Sequence, residues 1–264
     1  TRRSSDLLDD GLSDDGLVYL VMEWLEGCDL ASRVASQVLD VREALSVGVQ
    51  LAEALLCAHQ AGIVHRDVKP SNVFLVQRRV DAVKLIDFGI ARSARATLNG
   101  ARLTSTGAIL GSPHYMAPEQ IRGHHDPRTD VYGIGATLFE GLAGRPPFLG
   151  EDATAVLLAV MAEPAPPLSM LRDDLPPGLD ALIGRMLAKE VSDRPRDMAA
   201  VVAELSDLLA RQLDRPRPRP ALSWLERTPI EPAPADPDAR RRAVDESDDG
   251  ADEPLGRVRE IAQI

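Results

Sequence analysis

Cysteine is nearly absent from the 264 residues, with only Cys28 and Cys57 present. Two thiols cannot build a disulfide framework, and neither has a His or Cys partner at zinc-ligand spacing, so a reducing, cytoplasmic setting is expected. Positive charge is also short: 30 Lys and Arg stand against 41 Asp and Glu, giving a formal net charge of −11. Phosphate backbones are bound by clustered Lys and Arg, so no nucleic-acid partner is expected. Long apolar runs are missing as well. The longest, Ala153 to Ala162, is interrupted by Thr154 and falls well short of the roughly 20 residues that span a bilayer. No secretory leader opens the chain, which begins with Thr1 in a polar, acidic stretch and is expected to be an internal piece or a processed start.

What is present suffices for a core, since 44% of residues are apolar and 27% charged, the balance of a globular chain. Residues 1–16 read as a polar lead-in or turn. Leu17 to Met22 is an apolar, partly β-branched run that reads as a strand. Between Val41 and Gln60, Ala44, Gly48, Leu51, Leu55 and Ala58 share one helical face, and Leu45, Val49, Ala52 and Leu56 form a second apolar line beside it. A helix apolar over that much of its circumference is expected to be buried. Two short strands, Val73 to Val76 and Ala82 to Ile86, follow with a polar turn between them. Ala91 to Ser112 is a long Ser/Thr/Gly-rich loop, a type that is usually functional. Further helices are expected at Thr129–Leu142, Asp152–Ala162, Gly178–Ala188 and Asp197–Leu213. Residues 215–253 are rich in Pro and charge and read as a disordered linker, and 254–264 regain an apolar pattern that could open a further domain.

Three short motifs stand at the joints of this pattern. His65-Arg-Asp-Val-Lys-Pro-Ser-Asn72 separates the buried helix from the first short strand, Asp87-Phe-Gly89 ends the second strand, and Ala117-Pro-Glu119 follows the long loop. In that order and context they resemble the catalytic loop, metal-binding turn and activation-segment end of a protein kinase. Asp130-Val-Tyr-Gly-Ile-Gly and Asp193-Arg-Pro195 add to the likeness. Lys69, two residues after Asp67, is the serine/threonine form of the loop, and the style of Gly111 to Gln120 is similar to bacterial Hanks-type members.

The resemblance implies an α+β, mainly α-helical fold: a kinase C-terminal lobe at 31–214, preceded at 17–30 by the last N-lobe strand and the hinge. It implies transfer of the ATP γ-phosphate to Ser/Thr hydroxyls of protein substrates. Asp67 would orient the hydroxyl and Lys69 would place a positive charge on the transferring group, while Asn72 and Asp87 offer oxygen ligands to Mg2+. Glu23 and Leu25 would bind adenine through their backbone, with Met22 behind it, Phe74 beneath it and Asp29 near the ribose. Arg66 is of the type that pairs with phosphate on the long loop, where Thr104 and Thr106 match the positions phosphorylated in bacterial relatives. Glu119, Arg194 and Asp130 would be structural, and His65 a packed histidine rather than a base.

No Gly-x-Gly-x-x-Gly run and no Val-Ala-x-Lys strand precede Leu17, and residues 1–16 contain no lysine. The small lobe is therefore expected to be missing beyond its last strand, leaving an inactive fragment whose exposed inter-lobe face invites self-association. The alternative is a catalytically silent binding module. Retention of Asp67, Asn72 and Asp87 favours the enzyme.

Overall fold

The computed structural model describes residues 7–13, 17–87, 112–124 and 126–214. These belong to one compact unit, Thr1–Arg215; a second unit, Pro216–Ile264, lies outside the described residues together with the expected linker and the apolar tail.

The chain opens with an antiparallel hairpin, β1 (Leu7–Leu12) against β2 (Val18–Met22), in which Gly11 stands opposite Tyr19 and Leu12 opposite Val18. The polar lead-in expected over 1–16 is corrected here, because part of it is a strand. Asp9 and Asp10 are exposed, so their charge costs nothing in solvent, and pairing with β2 decides the conformation against local composition. A second sheet follows in the order β3 (Gly27–Asp29), β4 (Val73–Val76), β5 (Val83–Leu85), all antiparallel. Gly27 sits at φ 152°, and a Cβ there would lie 2.0 Å from the carbonyl oxygen of Leu75, so only glycine lets β3 close on β4.

Helix α1 (Leu30–Ser36) leaves β3 directly, capped by Asp29, whose carboxylate accepts the N–H of Ser32 at 2.7 Å. Helix α2 (Val41–Gln60) has the bounds that the periodicity predicts. Its capping box pairs Asp40 with Glu43 in both directions, and eight of its residues are buried. After the short helix α3 (Pro118–Ile121) comes α4 (Arg128–Ala143), in which only Arg128, Glu140 and Ala143 escape burial. Helices α5 (Ala153–Ala162), α6 (Leu179–Met186) and α7 (Met198–Leu213) complete the unit. Asp152 and Asp197, expected as first helical residues, are instead extended caps that accept the N–H of Ala155 at 2.7 Å and of Ala200 at 2.8 Å.

The core is a helical one. Leu45, Leu51 and Leu55 of α2, Tyr132, Ile134 and Phe139 of α4, and Val201 and Leu205 of α7 are each at most 1% exposed. Leu75 and Leu85, fully buried, bring the sheet into the same core. Gly133 of α4 allows the segment after α2 to lie flat against that helix, since a Cβ there would stand 2.8 Å from the Cβ of Val68. The segment that holds the expected site residues is thereby seated on α4, the most buried helix among the described residues.

Candidate active site

Residues 65–72 join α2 to β4, and one carboxylate organises their start. Asp130, in the first turn of α4 and about 1% exposed, accepts the N–H of His65 at Oδ2 and the N–H of Arg66 at Oδ1, each at 2.8 Å. These bonds hold Arg66 at φ 66°, a left-handed conformation costing on the order of 1–2 kcal/mol for a residue with a Cβ. Asp130, expected to be structural, thus bonds the backbone of two consecutive residues. Gln120 ties the same loop from the other side, its Nε2 donating to the Arg66 carbonyl at 2.8 Å while its Oε1 accepts the N–H of Ala117 at 2.9 Å.

Asp67 follows immediately. Its Oδ2 accepts from Lys69 Nζ at 2.7 Å and from Asn72 Nδ2 at 3.0 Å, and its carbonyl accepts from the same Asn72 nitrogen at 2.8 Å. Asp67 and Lys69 keep 19% of their side-chain surface in solvent, enough for a substrate to reach them. With the Asn72 nitrogen committed twice, the other end of that amide is an oxygen turned away from Asp67. The N–H of Ile86 donates to the Asn72 carbonyl at 2.9 Å, and exposed Asp87 follows Ile86 in the chain at φ 56°. Among the described residues no group of three His, Cys, Asp or Glu gathers as a self-sufficient metal site. One amide oxygen and one carboxylate instead match Mg2+, a hard cation that keeps waters and takes phosphate oxygens from a nucleotide.

His65 is buried, and its ring roles follow from its partners. Nδ1 accepts the N–H of Asp67 at 3.3 Å, so the proton sits on Nε2, 3.2 Å from the Ile86 carbonyl. Burial pulls its pKa below the usual histidine value, against the opposing pull of Asp130, the Ile86 carbonyl, Asp67 and Asp87. It is a neutral strut between the loop and β5, in agreement with the packed role expected of it.

In the three-stranded sheet, Asp29 and Phe74 stand opposite each other in β3 and β4, and Lys84 of β5 stands opposite Phe74. Three strands thus present an acid, a ring and a cation in one row. Asp29 also spends its carboxylate on Ser32, from the backbone and from the hydroxyl at 3.0 Å. Glu23, expected to act through its backbone alone, forms an ion pair with Lys84. Leu25 is half-buried, and the Glu26 carbonyl accepts the N–H of Gln77 at 2.7 Å, which fastens this segment to the turn after β4. Met22 is 47% exposed rather than enclosed at the rear of a pocket.

Glu119 and Arg194 form a two-pronged pair, Nη1 to Oε1 and Nη2 to Oε2 at 2.7 Å each, with Thr129 donating to the same carboxylate at 2.8 Å. Arg194 also donates to the carbonyls of Ala188 at 2.9 Å and Arg128 at 3.1 Å, so its buried charge is fully engaged. The segment before α3 is anchored by His114, whose Nδ1 lies 2.9 Å from the Phe148 carbonyl, and by the Tyr115 hydroxyl, which donates to Glu140. Arg66 leaves its buried Nε without a hydrogen-bond partner among the described residues. Thr104 and Thr106, its expected phosphorylated partners, and Phe88 and Gly89 lie outside the described residues. A hollow lined by Leu56, His59, Asp126, Arg128 and Met198 shares no residue with the Asp67 cluster.

Sequence reasoning missed Gln120, Lys84 and His59, whose Nε2 lies 2.8 Å from Asp130 Oδ2. Gln120 bonds a residue 54 positions away and Lys84 one 61 away, and no local pattern marks such pairs.

Comparison with known proteins agrees with this geometry. The protein kinase domain family matches residues 8–205. The chain is 36% identical over 236 residues to the serine/threonine-protein kinase pkn3 of Myxococcus xanthus, covering 86% of this chain and 43% of that protein. It is 41% identical over 220 residues to Pkn1 of the same organism, 81% of this chain and 31% of the relative. With PknB of Mycolicibacterium smegmatis it shares 39% over 191 residues, 72% and 30% respectively. The chain therefore spans less than half the length of these relatives. The crystal structure of Rad53 1-466 in complex with AMP-PNP superposes with a TM-score of 0.62 at 24% identity, over 76% of this chain and 50% of that one, and supports the fold. The expected α+β, mainly helical architecture is what the structure displays, and the chain belongs to the protein kinase domain family.

Proposed function

We propose that this chain carries the catalytic machinery of a serine/threonine protein kinase, transferring the ATP γ-phosphate to Ser or Thr hydroxyls of protein substrates. The observation that carries the reading is the Asp67 carboxylate, held by Lys69 and Asn72 on a loop pinned by Asp130. A carboxylate so fixed accepts a hydrogen bond from an entering hydroxyl and orients it for in-line attack. The Lys69 ammonium, 2.7 Å away, is a point charge for the transferring group. Bound Mg2+ would neutralise phosphate charge, with Asn72 and Asp87 as its protein ligands. Phe74 offers a face for the adenine, Asp29 an acceptor for a ribose hydroxyl, and Glu23 and Leu25 the backbone edge. The bacterial relatives are named serine/threonine kinases, which supports the substrate class.

Three further readings accompany this one. Arg66 would receive phosphate on Thr104 and Thr106, engaging a guanidinium whose Nε has no partner among the described residues. The cytoplasm is the setting, supported by two free cysteines; among the described residues no helix is long and apolar enough to cross a membrane. Exposed Trp24, Met22 and Leu17 mark the face through which copies of the chain would associate.

The test is radioactive phosphate transfer from ATP to a Ser/Thr protein substrate, made on this chain and on the complete gene product, because the 264 residues hold no Gly-x-Gly-x-x-Gly run and no Val-Ala-x-Lys strand. Transfer to Ser/Thr that vanishes in Asp67→Asn is the expected result; ATP binding without transfer by the complete product would favour the silent binding module.

A further inference from the structure

The backbone carbonyl of Arg66 is bonded from a distant part of the chain. Gln120, half-buried in α3, donates to it from Nε2 at 2.8 Å across 54 positions, while its Oε1 accepts the N–H of Ala117 at 2.9 Å. The two partners fix which end of the amide is which, since a carbonyl only accepts and an N–H only donates. Ala117 is the cap of α3, so one bond closes that helix on itself and the other leaves it for the loop. The peptide group between Arg66 and Asp67 is thereby held at both ends, its carbonyl by Gln120 and its N–H by His65 Nδ1 at 3.3 Å.

We infer that Gln120 is a positioning residue for phosphoryl transfer, locking the peptide that precedes Asp67 onto α3; this rests on the kinase reading given above. Asp130 Oδ1 holds the Arg66 N–H and so fixes the peptide before Arg66, but the peptide after it still turns about ψ. Arg66 at φ 66° is in a region that a residue with a Cβ disfavours, so that peptide turns to relieve the strain unless its carbonyl is held. Such a turn swings Asp67 on its Cα and draws its carboxylate from Lys69 Nζ at 2.7 Å and Asn72 Nδ2 at 3.0 Å. A displacement of about 1 Å at such a group is enough to cost on the order of 100-fold in rate. The amide is needed for both of its ends: a glutamate of the same shape keeps the oxygen that caps α3 and turns a second acceptor on the Arg66 carbonyl, and a methionine supplies neither bond. α3 carries none of the residues proposed to hold the nucleotide, so the effect of Gln120 belongs to turnover and not to ATP binding.

The experiment compares wild type, Gln120→Glu and Gln120→Met in the complete gene product, by amide hydrogen exchange and by steady-state kinetics. In both variants exchange over residues 65–70 should accelerate about tenfold or more while the α2 and α7 core peptides hold, because a local opening is made easier. Over 117–122 it should accelerate in Gln120→Met alone, since Gln120→Glu keeps the cap. kcat should fall by about tenfold or more in both, with KM for ATP changed by less than about threefold. Unchanged exchange over 65–70 in Gln120→Glu, or wild-type kcat in that variant, would overturn the inference. So would a fall confined to Gln120→Glu, which would make the added charge and not the lost N–H the cause, and so would acceleration spread evenly through the helical core in both variants, the mark of packing alone. Should the wild type transfer no phosphate, the kinase reading fails, while the exchange pattern still decides whether Gln120 holds the loop.

Discussion

One nitrogen of the Asn72 side chain serves Asp67 twice, donating to its carbonyl at 2.8 Å and to its carboxylate at 3.0 Å. The same side chain is thus expected to align the hydroxyl-orienting carboxylate with one end and to offer a metal oxygen with the other. Asn72→Asp separates the two duties, since it keeps oxygen donors and loses the N–H. It also sets a second carboxylate beside the first. kcat should fall by on the order of 100-fold, with no increase in the Mg2+ concentration needed for half-maximal rate. In Asn72→Ala both should worsen. Magnesium titrations of initial rate check this, and wild-type turnover in Asn72→Asp would remove Asn72 from the site.

The Glu119–Arg194 pair should dominate local stability. Arg194→Leu leaves a carboxylate stranded in the interior and should cost about 3–5 kcal/mol, more than the double variant Glu119→Leu/Arg194→Leu, because stranding a charge is worse than removing both. Urea unfolding of the three proteins measures it. Burial alone would raise the Glu119 carboxyl, but Arg194 and Thr129 outweigh burial and hold it below the ordinary glutamate value. The folded value being depressed, this contribution is complete above the unfolded value of about 4.3 and is lost as pH falls through the folded one. The difference between wild type and the double variant should therefore shrink in acid.

His65 gives stability a second, milder pH dependence. Its folded pKa is lowered by burial, so the unfolded chain takes up the proton first. Stability from the neutral ring is full above the unfolded value of about 6.5 and declines as pH drops below it. Thermal unfolding between pH 7.5 and pH 5.5, on the order of one unit either side of that value, should show a smaller acid loss in His65→Asn than in wild type. An equal loss in both would mean that another group sets this dependence.

Phosphate on Thr104 and Thr106 is expected in active protein, paired with Arg66. Mass spectrometry of the complete gene product locates it, and Thr104→Ala/Thr106→Ala should reduce kcat by about tenfold or more, with Arg66→Ala equivalent and not additive to it. Full activity in the double alanine variant, with no phosphate between Ala101 and Ile109, would exclude this mechanism.

Legibility followed physical range. Helix α2 and strand β4 were readable to the residue, because a 20-residue double apolar stripe and a β-branched run ending in a polar turn are local signals. Asp67, Lys69 and Asn72 were singled out through the resemblance of their motif to a kinase catalytic loop, its members lying within six positions. β1 was not, since Leu7 to Leu12 is a strand only by virtue of β2. β3 and α1 span three and seven residues, too few for either period to emerge. His59 and Lys84 act across 71 and 61 positions, and a chain read in order carries no mark of such meetings.

The most direct measurement sets Asp67→Asn against wild type in the complete gene product, following phosphate transfer to a Ser/Thr substrate and Mg2+-ATP binding by calorimetry on the same preparations. In the proposed reading Asp67 orients the hydroxyl, whereas Glu23, Leu25, Phe74, Asn72 and Asp87 would hold the nucleotide and its metal, so the two readouts should part. The expected result is a loss of about 100-fold or more in kcat with the Kd for ATP changed by less than about threefold. Transfer at the wild-type rate in Asp67→Asn would contradict the assignment of the reaction to this carboxylate.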